Sequence, residues 1–233
     1  MKNRLTHWLV GIASLALPIV VFGSGGGGMD GGGMGGSMPA AKAQTPEEQA
    51  RNAYNDGVRA VKQAKKFEED LAEAKDDKKA KASERVRKQY EKARGYFANA
   101  VSKQATMHEA WNYVGYTSRK LGEYDKALAS YDEALRLKPD YAEAIEYRGE
   151  AYVWMNRMED AKKAYMDLYR DSREMANQLM GVMQQWVTER RANASGVAAG
   201  DIDAFAKWVS ERETIAQQTA SLATDGPSTS IWQ

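Results

Sequence analysis

Few side chains in this 233-residue chain could carry out a reaction. Cysteine is absent, which removes disulfides, a thiolate nucleophile, a zinc site built on sulfur, and anchoring through a lipidated cysteine. The two histidines, His7 and His108, are far apart, and neither has a neighbouring Cys, His or carboxylate pair. No HExxH, GxSxG or phosphate-binding loop occurs. Carboxylates are plentiful, but they alternate with Lys and Arg on helical stretches, where they serve as solvated faces and ion-pair partners. Catalysis and a cofactor are therefore not expected. Gly26, Gly28 and Gly31 satisfy GxGxxG, yet they sit in a tract so rich in glycine that the match is close to inevitable, and no strand precedes it. Met29, Met34 and Met38 are different, because spaced thioethers can hold Cu(I) as soft ligands. They leave open a metal-handling or carrier role beside the plainer reading of incidental methionine in a linker.

The elements around these residues follow from composition. Formal charge is +1, and without Lys2 and Arg4 the balance becomes −1, so nothing attracts nucleic acid. Residues 1–23 have a basic start, an apolar run from Trp8 to Phe22 and small residues after it, the pattern of a secretory signal peptide. As a helix the run would span about 22 Å, short of a bilayer core of ~30 Å, although an uncleaved anchor is the competing reading. An exported, periplasmic location is expected. Residues 24–44, rich in Gly and Met, lack large apolar side chains other than Met and should form a disordered linker with a reach of about 25 Å.

From residue 45 the chain is helical in composition. Thr45-Pro46-Glu47-Glu48 forms a capping box, and Tyr54, Val58, Val61, Ala64, Phe67, Leu71 and Ala74 follow at steps of three and four, a helix of about 29 residues. The charged run Asp76 to Lys79 marks a turn, and Val86, Tyr90, Ala93, Phe97 and Ala100 trace a second helix. From His108 to Tyr141 lies one helix-turn-helix unit. Trp111, Val114, Gly115 and Ser118 precede a turn at Leu121-Gly122-Glu123; Ala127, Tyr131, Ala134 and Pro139 follow it. Small Gly115, Ala127 and Ala134 allow two helices to approach, and large Trp111, Tyr131 and Leu135 fill the space beside them. The pattern recurs at roughly 34 residues, a period of helical-hairpin repeats. Gly115 maps onto Gly149, Ala127 onto Ala161 and Tyr131 onto Tyr165, while Ala93, Phe97 and Ala100 map onto Ala127, Tyr131 and Ala134.

This spacing resembles the tetratricopeptide repeat (TPR) family, with Ser118 where the family usually has Tyr and Val114 for Leu. The resemblance implies an all-α solenoid of about three helix pairs. Residues 45–171 would form it, with repeats at about 45–107, 108–141 and 142–171. If Gly57 is the close-contact glycine of the first pair, that pair is longer by about 24 residues, and its arms would project roughly 18 Å. Residues 172–222 suit C-terminal capping helices, one started by Asp171-Ser172 and one capped by Asp201. Residues 223–233 should be a mobile tail, with Ile231 and Trp232 either tucked onto the body or docking elsewhere.

In the TPR family the first helix of each repeat lines a concave groove that contacts a peptide. By that resemblance Tyr54, Asn55, Val58 and Lys62 would line it in the first repeat, Asn112, Tyr116, Arg119 and Lys120 in the second, and Glu146, Glu150 and Trp154 in the third. Tyr113 and Glu143 stand where the family's carboxylate clamp wants Asn and Lys, so binding of acidic C-termini is not expected. The expected role is a non-catalytic adaptor for a protein or peptide partner in the cell envelope. Reversing the charge of Arg119 and Lys120 should then weaken capture without lowering the melting temperature. A self-associating structural unit is the remaining alternative.

Overall fold

A computed structural model describes residues 43–224. The expected signal segment, Met29, Met34, Met38, His7 and the tail with Ile231 and Trp232 lie outside the described residues.

All regular structure among the described residues is helical: α1 (Pro46–Ala72), α2 (Asp76–Lys103), α3 (His108–Lys120), α4 (Tyr124–Leu137), α5 (Ala142–Trp154), α6 (Met158–Asp171), α7 (Arg173–Ala192) and α8 (Ala199–Thr224). None of these helices is long and apolar enough to cross a membrane. They form antiparallel pairs, α1 with α2, α3 with α4, α5 with α6 and α7 with α8, and each pair stacks on the next. The first helices α3, α5 and α7 also touch one another in turn.

Thr45 starts α1 as a full capping box: its hydroxyl accepts from the Glu48 amide, and the Glu48 carboxylate accepts from the Thr45 amide. The run Asp76 to Lys79 is not a turn. The break falls at residues 73–75, and Asp76 and Asp77 form the acidic first turn of α2, where the helix dipole favours them. Likewise α8 begins at Ala199, so Asp201 lies within its first turn instead of capping it.

Glycine marks the close approaches. A methyl group on Gly57 would come within 2.6 Å of the Phe97 ring, and one on Gly115 within 2.5 Å of Tyr131, so the two junctions are equivalent. At Gly149 the neighbour is instead Leu179 of α7, at 2.7 Å. Tyr165, the counterpart of Tyr131, turns to α8 and meets Trp208 edge-on at 5.5 Å. The third pair is thus closed by the fourth. Gly122 has φ +78° in the α3–α4 turn, and Asn156 takes the corresponding place after α5 with φ +59°. The Asn156 side chain accepts a 3.1 Å hydrogen bond from the indole of Trp186, which is fully buried. Trp111 is only half-buried, because its indole reaches back to the Ala105 carbonyl at 2.9 Å and ties α3 to the preceding turn.

Candidate peptide-binding face

The face formed by α1, α3 and α5 has an aromatic floor. Tyr54 meets Phe97 and Tyr113 edge-on, each at 5.7 Å, and Tyr116 packs against Tyr90 at 6.1 Å and Tyr147 at 5.2 Å. These side chains are at least half-buried, and burial raises the hydroxyl of Tyr113 to about 12, so they are neutral near pH 7.

A charged cluster crosses this floor. Arg119 on α3 pairs with Glu150 on α5, its guanidinium 5.5 Å from the ring centres of both Tyr116 and Tyr147. Burial alone would lower the guanidinium; Glu150, Tyr131 and Glu146 around it reverse that and hold the charge. Burial, and after it the adjacent Glu150 carboxylate, push Glu146 well above the usual carboxylate range. Its Oε2, Arg119 Nε and the Tyr131 hydroxyl are buried without a hydrogen-bond partner among the described residues. Next to this cluster Lys120 pairs with Glu68 of α1 at 2.5 Å, with its ammonium 5.4 Å from the Tyr90 ring. Lys65 lies beside them, its pKa lowered by burial and then by Lys120.

The residues expected from sequence therefore separate into two sets. Tyr116, Arg119 and Glu146 are buried and come together with half-buried Glu150 to hold α3 to α5, while Lys120 braces α3 against α1. Asn112 is buried at 2% exposure beside the Tyr141 hydroxyl, and Tyr54 and Val58 are half-buried in the floor. Trp154 is half-buried against the C-terminal core. Asn55 and Lys62 on α1 are exposed. The expectation that charge reversal at Arg119 would spare the melting temperature does not survive this geometry, because the reversed charge would be buried against Glu146 and Glu150. Sequence reasoning missed Lys65, Glu68 and Tyr147. The first two continue the three-residue steps from Lys62, and Tyr147 sits one period after Tyr113, so each carried a legible signal.

At the other end an open recess of about 580 Å³ lies between α6, α7 and α8, lined by Met158, Lys162, Trp186, Val197 and Phe205 among others. Lys162 is already paired with Glu159 at 2.7 Å, which leaves the recess with little directed chemistry. No group of three or more His, Cys, Asp or Glu among the described residues is placed to hold a metal ion.

The family model for the TPR repeat matches residues 115–155, which run from the close-contact glycine of α3 to the end of α5. Residues 115–155 therefore carry a match to the TPR repeat. No curated protein matches its sequence. Among solved structures, the first TPR of Spaghetti (RPAP3) bound to the HSP90 peptide SRMEEVD is similar at 17% identity and a TM-score of 0.46, over 60% of this chain and 95% of that one. Helices α1, α3, α5 and α7 are the first helices of their pairs, and the cluster around Arg119 lies where α3 and α5 meet.

Proposed function

We propose that this TPR protein is a non-catalytic adaptor that captures a segment of a protein partner along the face of α1, α3 and α5, and that it works after export, in the cell envelope. The supporting observation is the construction of that face. Its base is locked by the Arg119–Glu150 and Lys120–Glu68 pairs, so its shape is set before a partner arrives, while Asn55 and Lys62 stand exposed along its α1 edge. A preformed face lowers the ordering cost of association. The repeat match is the basis for the interaction role; the basic start and apolar run of residues 1–23 are the basis for export.

The test is site-specific photocrosslinking in the native compartment. A photoreactive residue at Asn55 or Lys62 should trap one protein that the same group at Lys126 or Lys163, on the second helices α4 and α6, does not trap. Equal yields from both faces, or no adduct from Asn55 and Lys62, would refute the reading. Cell fractionation checks the location, and recovery of the chain with cytosolic markers would remove the export part.

A further inference from the structure

Helix α2 carries a row of cations that neither the peptide-binding face nor the stacking uses. At 100° per residue, Lys78, Lys81, Arg85, Lys88, Lys92 and Lys103 fall within a sector about 80° wide, and all six are exposed. The acids of α2, which are Asp76, Asp77, Glu84 and Glu91, all fall outside that sector. The opposite flank of α2 faces the second pair: Tyr90 meets Tyr116, Phe97 stacks on Tyr113 at 4.7 Å, and Arg94 pairs with Glu123 at 2.8 Å. The cation row therefore looks away from the stack, at its N-terminal end. Lys78, Lys81 and Lys103 have no ion-pair partner among the described residues. Arg85 and Lys88 have loose ones, Asp70 at 3.8 Å and Glu84 at 3.5 Å, on exposed side chains where such pairs are weak.

We propose that this row docks the N-terminal end of the protein on an anionic phospholipid surface, with α2 lying along the headgroups. From Lys78 to Lys103 the row is about 38 Å long, several times the ~8–10 Å range of screened charge, so it meets many headgroups together. Rows of four to eight basic side chains on one helix have this affinity, each residue adding to the attraction. Flexible ammonium groups on a straight edge without a pocket suit laterally mobile charges better than a ligand of fixed spacing. The chain as a whole is nearly neutral, at +1, so the row is a local feature and the protein is no general polyanion binder. The connection of the chain points the same way. The apolar run Trp8 to Phe22 precedes α1 in the chain, and α1 begins next to the last turns of α2, where Ala53 packs with Ala100.

Lysine acetylation footprinting on the full-length chain reads the row directly. Vesicles of phosphatidylcholine with roughly one-third phosphatidylglycerol should slow labelling of Lys78, Lys81, Lys88 and Lys92 at least about fivefold, leave Lys126, Lys163 and Lys207 unchanged, and lose the effect in high salt. Pure phosphatidylcholine vesicles should not slow it. Uniform labelling, or equal slowing by both vesicle types, would overturn the proposal. So would equal protection by polyglutamate or by duplex DNA at matched charge, since these outcomes assign the row to an acidic protein or to nucleic acid. A variant combining K78Q, K81Q, K88Q and K92Q, checked for unchanged helicity, should lose its preference for anionic over neutral vesicles by about tenfold or more; retention of that preference would also count against it.

Discussion

Arg119 shows how much one side chain can carry in a repeat stack. With Glu150 and Glu146 packed around it and almost no solvent access, removing the guanidinium leaves carboxyl groups buried without a counter-charge. Arg119→Ala should therefore cost about 3–5 kcal/mol in urea unfolding. Glu146 has the opposite electrostatic sense. Its folded pKa is raised, so the native state holds a proton that the unfolded chain releases once pH exceeds the ordinary carboxylate range. The Glu146 contribution to stability is then largest in acid and falls as pH rises through that range, until the folded group itself ionises. Glu146→Gln should flatten this decline, and denaturant midpoints of the two proteins should converge at low pH and separate towards neutrality. A constant separation at every pH would mean that Glu146 is ionised in the fold. Glycines give a sharper steric contrast. Gly115→Ala drives a methyl group into Tyr131 and should cost about 1–3 kcal/mol, whereas at Gly95, on α2 with open space around it, the same change should add about 0.5–1 kcal/mol. Thermal melts of the two variants moving in opposite directions would confirm both environments.

At the scale of elements, the long first pair is less free than its length implies. The helices have 27 and 28 residues, but Lys120 grips Glu68, Arg94 grips Glu123, and Leu71 is buried, so only the part beyond Glu68 overhangs. Deleting residues 67–85 would remove the Glu68 brace with the tip and confuse two effects. Replacing residues 72–81 with a short turn keeps the brace and the buried Leu71. That variant should melt within a few degrees of the parent and still capture the adaptor's partner; lost capture with an unchanged melt would make the tip a contact site. Helix pairing itself was legible in the sequence, because Gly57, Gly115 and the aromatic residues they face repeat as small against large. The polar cluster was harder to read. Lys120 meets a residue of another repeat, and Arg119 and Glu150 look on a helical wheel like two outward charges. Only the stacking of α3 beside α5 brings them together. The start of α2 was misread for a related reason, since a charged run marks an exposed helix terminus as readily as a turn.

Across the whole molecule, stability should be passed from neighbour to neighbour, as in other stacked repeats. The fourth pair is the cover of the third: Leu179 fills the space over Gly149, and Trp208 meets Tyr165. A chain ending at Asp171 would expose Val153, Ala161, Tyr165 and Leu168, all fully or almost fully buried in the intact protein. It should self-associate in a concentration-dependent way by light scattering, while the intact chain keeps one mass; a monodisperse truncated chain would show that α7 and α8 are dispensable. The capping segment was recognisable in the sequence from its apolar stripe, but its entry into the third repeat through Leu179 was not, because the counterpart of Tyr131 appeared to be present already in Tyr165. The bond from the Trp186 indole to Asn156 carries a practical consequence. Trp111, Trp154 and Trp208 keep some contact with water, whereas Trp186 has none, so in a variant with the other tryptophans replaced by Phe a red shift of Trp186 emission during heating would time the detachment of the last hairpin.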